Sequence, residues 1–397
     1  NDYFNGPVTT TVTTADNTSL SKLVIDDSWV TDGSTAIDKT LRIGDTATYQ
    51  LTLSLGEGTL NGVTVTDVLP SGMEINSFTV TPASGASDFT YSLISQPTAG
   101  DTGALVWDFG GIVNTPSGDG TPVDTLVIEY VATVLPDAGI AQAATSDLIN
   151  NAVLGYLDAN GVAVVDPLRL EATETLTLLQ PVMSAVTKTG NGLTRDNAGV
   201  ALSVNVGTDT MAFQLESCNV AAPAAPAYSV FMTDVLATQL DENSITVPVV
   251  TINGVAGTAG VDYIYTPPGG RGGTLQFELL TAVQPNQCVT IDYNVGFYTD
   301  FGPNEVWNNH VTVDEYWSLP AATGQQYTPV DFAEFYMTNV VIPQPLSKVV
   351  ATPVSGEITI GEEAVYTITV PDIPVNGVLN DVVVNDTLDA VLDYVSA

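Results

Sequence analysis

Three lysines and three aspartates recur at matching places along this chain. Lys22 lies in LSKLV, Lys188 in AVTKTG and Lys348 in LSKVV, while Asp67, Asp234 and Asp386 lie in VTVTDVLPSG, VFMTDVL and VVVNDTL. The chain has four lysines, and the fourth is Lys39. A composition that has nearly lost lysine yet keeps it three times at one repeat position needs a cause. Aspartate is disfavoured in strands, so its recurrence asks for a partner, a metal or a turn. A lysine aimed into a core needs a partner or a reaction. Burial disfavours its ammonium and produces a neutral amine, which is a nucleophile, and burial also keeps a neighbouring carboxyl protonated and able to move protons. Two outcomes are open: a buried Lys–Asp ion pair, or a covalent product of that amine.

Other residues offer less. Cys218 and Cys288 are the two cysteines and fall in one stretch of the chain. A disulfide between them fits an oxidising compartment, and the alternative is a pair of buried thiols. Acidic loops are candidate calcium ligands, with Asp26, Asp27 and Asp32 in VIDDSWVTDG and Asp158 and Asn160 in YLDANG. Calcium takes several oxygens, but no EF-hand spacing is present, and the same residues form ordinary turns. Calcium is thus the one candidate cofactor. The loop PPGGRGG, with Arg271 at its tip, lacks the lysine and helix of a phosphate loop. Trp29, Trp107, Trp307 and Trp317 could stack on sugars, although buried tryptophans are common in β-sandwiches. The one histidine, His310, removes most histidine-dependent chemistry. Carboxylates are plentiful, but no nucleophile, base and orienting group form a set, so no enzyme acting on an external substrate is expected.

The elements that must position these residues are strands. Thr/Val/Ile/Tyr alternations broken by Gly, Pro, Asn and Asp dominate, as in TATYQLTL, TLVIEYVATV, CVTIDYNVGF and AVYTITV. Helical periodicity is nearly absent, and the best candidate is a short turn around 137–148. The fold class expected is all-β, with tandem sandwich domains. The 397 residues carry 44% hydrophobic residues, enough for real cores. Forty-five acidic residues against eight basic ones give a net charge of −37, which repels nucleic acid and anionic membranes. No signal peptide and no apolar run long enough to span a bilayer is evident.

A repeat orders these strands. Each unit opens on a lysine strand and continues through a glycine turn into an aromatic strand: IGDTATYQLTL, VGTDTMAFQLE, IGEEAVYTITV. The aspartate strand follows. Two units then finish with LINNAVLGY, with Asn150 and Asn151, and VWNNHVTVDEY, with Asn308 and Asn309, each followed by a last strand. The expected division is 1–19 as the last strand of a preceding domain, 20–181 and 182–345 as complete sandwiches, and 346–397 as the first part of a further one. The chain thus reads as a segment of something longer. Short proline-containing joints, LLQP and IPQP, suggest a stiff rod.

Taken in order, the lysine strand, the glycine-aromatic strand, TDVLP and NNAV resemble the conserved repeat family of large bacterial and archaeal surface proteins. They are similar also to the isopeptide-forming domains of fimbrial backbones and adhesins. The resemblance runs from about residue 20 to the end. The middle unit departs from it, lacking the proline after TDVL and carrying the cysteines. It implies immunoglobulin-like sandwiches, secretion and an extracellular, cell-surface location. It also implies that a first-strand lysine joins a last-strand asparagine beside a mid-domain acid, with loss of ammonia. The family pattern selects Asn150 and, by position, Asn308. Strand alternation selects Asn151 and Asn309 instead, because Ile149, Asn151 and Val153 share a face, as do Trp307, Asn309, Val311 and Val313. Lys348 and Asp386 form an incomplete set. The function expected is a structural repeat protein of a stalk, filament, sheath or surface layer, with copies of itself or other surface proteins as partners. The alternatives are an adhesin stalk whose binding head lies elsewhere, and a carbohydrate-binding module.

Overall fold

Alternation of buried and exposed residues builds the sheets. Side chains in a strand point to opposite faces in turn, and one face here is apolar along most strands. The structure is a computed structural model. It describes residues 17–28, 37–83, 89–115, 123–138, 143–300, 302, 304–328, 331–340, 345–371, 379 and 381–396. The strand expected within 1–19 falls mostly outside these residues, as does Trp29.

The chain divides into two compact units. The first comprises Asn1–Val182 with Val220–Ala227 and Trp317–Tyr327, and the second comprises Met183–Asn219, Tyr228–Tyr316 and Thr328–Ala397. In the first unit one sheet has the order β1 (Ser19–Asp27), β3 (Thr46–Gly56), β8 (Val123–Val134), β5 (Met73–Pro82). The other runs β2 (Thr40–Leu41), β10 (Glu171–Leu179), β9 (Thr145–Leu157), β4 (Gly58–Val68), β7 (Ala104–Asn114), β6 (Phe89–Tyr91). Their inner faces share a core that includes Tyr49, Leu51, Val65, Trp107, Ile128 and Tyr130.

The second unit repeats the plan. One sheet has the order β11 (Thr187–Gly190), β13 (Met211–Cys218), β20 (Cys288–Phe297), β16 (Val249–Ile252), β17 (Val255–Ala256), and β15 (Leu240–Asp241) also pairs with β20. The other runs β12 (Leu202–Val204), β23 (Phe332–Asn339), β21 (Val306–Leu319), β14 (Tyr228–Val235), β19 (Thr274–Leu279), β18 (Tyr263–Thr266); the end of β21, from Trp317, and β22 (Thr323–Tyr327), which pairs with β21, fall in the first unit. Cys218 and Cys288 face each other in the β13–β20 register and form a disulfide. Near the end of the chain, β24 (Ser347–Thr352) and β25 (Val365–Thr369) form a two-stranded sheet of their own. The protein is therefore all-β, built of β-sandwiches.

Two local expectations are corrected. Thr145–Leu148 of the expected helical turn belong to β9, and the one α-helical turn among the described residues is Pro167–Leu170, started by its proline. The Ile149–Asn151–Val153 face of β9 is the outer one: Ile149 and Val153 are exposed, and Leu148, Asn150, Ala152 and Leu154 point inward. Both faces of β9 carry apolar residues, so the sequence offered little contrast by which to choose.

Register repeats at the lysine strand. Lys22 opposes Leu51, Lys188 opposes Leu215 and Lys348 opposes Ile368, and in each case an aromatic residue, Tyr49, Phe213 or Tyr366, lies two positions earlier. The phrase after Asp67 ends in a tight turn at Gly72, whose φ of 81° is left-handed, and a methyl there would overlap the backbone of Ala138.

Candidate functional site

The recurring aspartates occupy core slots. Val63, Val65 and Asp67 point inward in succession along β4, as do Val230, Met232 and Asp234 along β14. The lysines do the same: Leu20, Lys22 and Val24 share the inner face of β1, and Val186, Lys188 and Gly190 are buried together at β11. In both pairs the lysine and aspartate side chains are fully buried. Lys22 Nζ donates to both oxygens of Asp67 at 2.8 Å, and Lys188 Nζ donates to both oxygens of Asp234 at 2.6 Å. Each ammonium also lies over an aromatic ring, 5.0 Å from the Tyr49 centroid and 4.8 Å from that of Phe213.

Burial outweighs the attraction of the partner. It lowers both Lys22 and Lys188 from the ordinary 10.5 to about 8, against the raising effect of the paired aspartate. Burial likewise raises Asp67, against Lys22 and the hydrogen bonds that stabilise its anion. Lys22 and Asp67 are thus both pushed towards their neutral forms.

Of each asparagine pair, one side chain reaches the site. Asn150 is buried between Leu148 and Ala152, and Asn309 between Trp307 and Val311. Asn151 faces outward and accepts a hydrogen bond from Thr173 Oγ1, while Asn308 is half-buried and donates to Glu334. Asn151 and Asn308 are therefore removed from the candidate set by geometry, the first against strand alternation and the second against the family pattern. A last strand follows each asparagine strand, β10 after β9 and β23 after β21, with the short β22 between the latter two.

A fourth member of each set went unnoticed in the sequence. Tyr130 Oη donates to Asp67 Oδ2 at 2.7 Å and accepts from Asn150 Nδ2 at 2.7 Å. Tyr293 Oη donates to Asp234 Oδ2 at 2.7 Å, and Asn309 lies 3.0 Å from the same hydroxyl. Burial raises both phenols well above their usual range. Tyr130 opposes Tyr49 in the β3–β8 register, and Tyr293 opposes Phe213 in the β13–β20 register. The signal was present as an acid–tyrosine step, Glu129–Tyr130 and Asp292–Tyr293, at the same point of the two repeats.

The Asn309 amide is better assigned turned. Its nitrogen then donates to Val235 O at 2.7 Å and Asp234 Oδ1 at 3.1 Å, and its oxygen accepts from Lys188 Nζ at 2.8 Å and Tyr293 Oη at 3.0 Å. Amide orientation follows from the hydrogen-bond network, and this one satisfies both ends. The third set holds its pair as well: Lys348 Nζ lies 2.7 Å from Asp386 Oδ1, with both side chains about one-third exposed.

The remaining candidates lie apart from these clusters. Asp158 Oδ1 accepts the backbone amides of Asn160 and Val162, which closes a turn, and these bonds hold its carboxyl below the usual range. Asp26 is exposed, Asp27 Oδ2 accepts the Lys39 amide, and Asp32 lies outside the described residues. Among the described residues the one grouping of three potential metal ligands is Glu216 with Cys218 and Cys288, whose sulfurs are bonded to each other. Arg271 is held by Thr238 O, by both oxygens of Asp300 and by the Tyr298 ring. Trp107 and Trp307 are core residues. Among the described residues no helix is long and apolar enough to cross a membrane.

No protein-family model matches the chain, and no curated protein matches it. Among solved structures it is similar to the full-length major pilin RrgB of Streptococcus pneumoniae, at 14% identity and a TM-score of 0.31, over 84% of this chain and 52% of that one. It is similar also to BcpA, the major pilin subunit of Bacillus cereus, at 12% identity and a TM-score of 0.27, over 81% and 68%. A third likeness is to the N-terminal domain of the Streptococcus gordonii adhesin Sgo0707, at 10% identity and a TM-score of 0.28, over 75% and 60%. Scores of this size do not establish a common fold, so function is read from the chain's own geometry.

Proposed function

We propose that this chain is a load-bearing segment of an extracellular surface protein of the stalk, filament, sheath or layer kind. Each sandwich is locked by an isopeptide bond, Lys22 to Asn150 and Lys188 to Asn309. One observation carries the proposal: both units place the same lysine, aspartate, tyrosine and asparagine together in a dry core. Stability alone does not account for that. A buried ion pair is often matched or bettered by apolar residues of similar volume, so a core gains little by keeping two of them. A neutral amine, an amide carbon and a proton-carrying acid held side by side are the reactants and the shuttle for amide exchange, and fixing them in place supplies much of the rate.

The disulfide supports an oxidising compartment, and the net charge of −37 disfavours nucleic acid and anionic membranes as partners. Partners would be copies of the chain or other surface proteins. A sugar-stacking platform gains no support from Trp107 and Trp307, which are buried.

Intact mass decides the chemistry. Each of the two units should be lighter by one ammonia, and peptide mapping should return Lys22 joined to Asn150 and Lys188 joined to Asn309. Asp67→Ala and Asp234→Ala should each restore one ammonia. An unreacted mass for the wild-type chain would mean that both clusters are ion pairs and that no bond forms.

A further inference from the structure

The geometry points to Tyr130 and Tyr293 as the proton donors to the asparagine carbonyl in bond formation, each relaying a proton from its aspartate. The inference rests on the isopeptide reading and adds a residue to it. A direct route from aspartate to the amide oxygen would need the two in contact. In the second unit the carbonyl oxygen of the turned Asn309 instead accepts from Tyr293 Oη at 3.0 Å and Lys188 Nζ at 2.8 Å, while Asp234 Oδ1 meets the amide nitrogen at 3.1 Å. Tyr293 Oη is at the same time 2.7 Å from Asp234 Oδ2. The hydroxyl therefore stands between the acid and the oxygen on which charge develops.

The first unit has the same hydroxyl in the same place, 2.7 Å from Asp67 Oδ2 and 2.7 Å from the Asn150 amide. With the Asn150 nitrogen on Tyr130, Asn150 Oδ1 is a buried acceptor with no partner. Turning that amide as in the second unit places its oxygen on the Tyr130 hydroxyl. A phenol suits the role because its oxygen accepts one proton while giving up another, so the relay never builds charge on the ring. Burial supports this by holding both phenols protonated.

The steps balance. Lys188 Nζ gives a proton to Asp234, leaving an amine and a carboxyl. The amine attacks Asn309 Cγ, and the carbonyl electron pair moves onto oxygen. That oxygen takes the Tyr293 proton while Tyr293 takes one from Asp234 Oδ2. Asp234 Oδ1 then removes a proton from the cationic Nζ and delivers it to Nδ2. The Cγ–Nδ2 bond breaks, ammonia leaves, and the hydroxyl proton of the intermediate returns through Tyr293 to Asp234. No proton is gained or lost, and the aspartate finishes neutral beside the new amide. Lys22, Asp67, Tyr130 and Asn150 follow the same steps.

The test uses the full chain made by cell-free synthesis, with the two cross-linked peptides followed over time. Tyr130→Phe should slow the Lys22–Asn150 link by roughly 100-fold, the lower end for loss of a general acid. The Lys188–Asn309 link should keep its wild-type rate in that variant. Tyr293→Phe should do the reverse, so each unit serves as the folding control for the other. Fluorotyrosines at either position keep ring and hydroxyl and alter only acidity, and the rate of that unit's link should change steadily along the series. Wild-type rates in both phenylalanine variants would overturn the relay while leaving the isopeptide reading intact. So would a rate constant across the fluorotyrosines, which would make the hydroxyl a packing group. Absence of both links in the wild-type chain would overturn the isopeptide reading itself, and the relay with it.

Discussion

An amine held in an apolar slot changes what pH does to the protein. In the folded chain Lys22 and Lys188 titrate at about 8, against 10.5 when unfolded. Between these values the unfolded chain holds a proton that the folded chain has lost, so folding becomes more favourable as pH rises. The effect is absent below about 8 and complete near 10.5. Asp67 acts in the opposite sense at the acid end: its raised pKa keeps the folded form protonated where the unfolded form is ionised, so stability falls as pH climbs out of the ordinary carboxylate range. The amines survive only where no bond has formed. A chain carrying Asn150→Ala and Asn309→Ala should therefore gain stability from pH 8 to 10.5, by at most about 3 kcal/mol per lysine. The wild-type chain, with its lysines joined as proposed, should lack that gain. Thermal melts across this range check the point, and a flat profile in the double variant would show that the lysines are not desolvated.

Strands set these residues in place, and the disulfide shows what a strand pair adds. Cys218 and Cys288 end one rung of the β13–β20 ladder and close a loop with a sequence separation of 70. Loop entropy assigns such a closure about 4 kcal/mol. Cys218→Ser with Cys288→Ser should lower the melting transition of the second unit and leave that of the first unchanged. Thiol labelling of the unreduced, denatured wild-type chain should find no free cysteine; two labelled cysteines would remove the bond. Much of this layout was legible in the sequence. Trp307, Asn309, Val311 and Val313 alternate against polar neighbours, so their inward face could be read directly. In β9 it could not: Ile149 and Val153 outside are as apolar as Leu148 and Leu154 inside, and alternation has no meaning without contrast. The lysines and aspartates stood out because both types are out of place in a strand core. Tyr130 and Tyr293 did not, because tyrosine is an ordinary strand residue and only the fold shows its hydroxyl reaching an acid and an amide.

For the whole molecule, the placement of the two proposed bonds matters more than their number. Tension on the chain enters the first unit at β1, where Lys22 lies, and leaves it beyond Asn150 through β10. With Lys22 joined to Asn150, force crosses directly from β1 to β9, and everything between those residues lies in a loop that carries none. Lys188 joined to Asn309 does the same for β11 to β21 in the second unit. The disulfide, between residues 188 and 309, would then be shielded from load and stabilise the folded unit without having to bear tension. Each loop withholds roughly 400 Å of chain at full extension. Single-molecule pulling of the wild-type chain should therefore release only the segments outside the two loops. Asp67→Ala should add one long extension step of about 400 Å, Asp234→Ala should add one that reaches this length only under reducing conditions, and the double variant should add both. Full-length extension of the wild-type chain at forces that leave covalent bonds intact would show that the buried clusters carry no load.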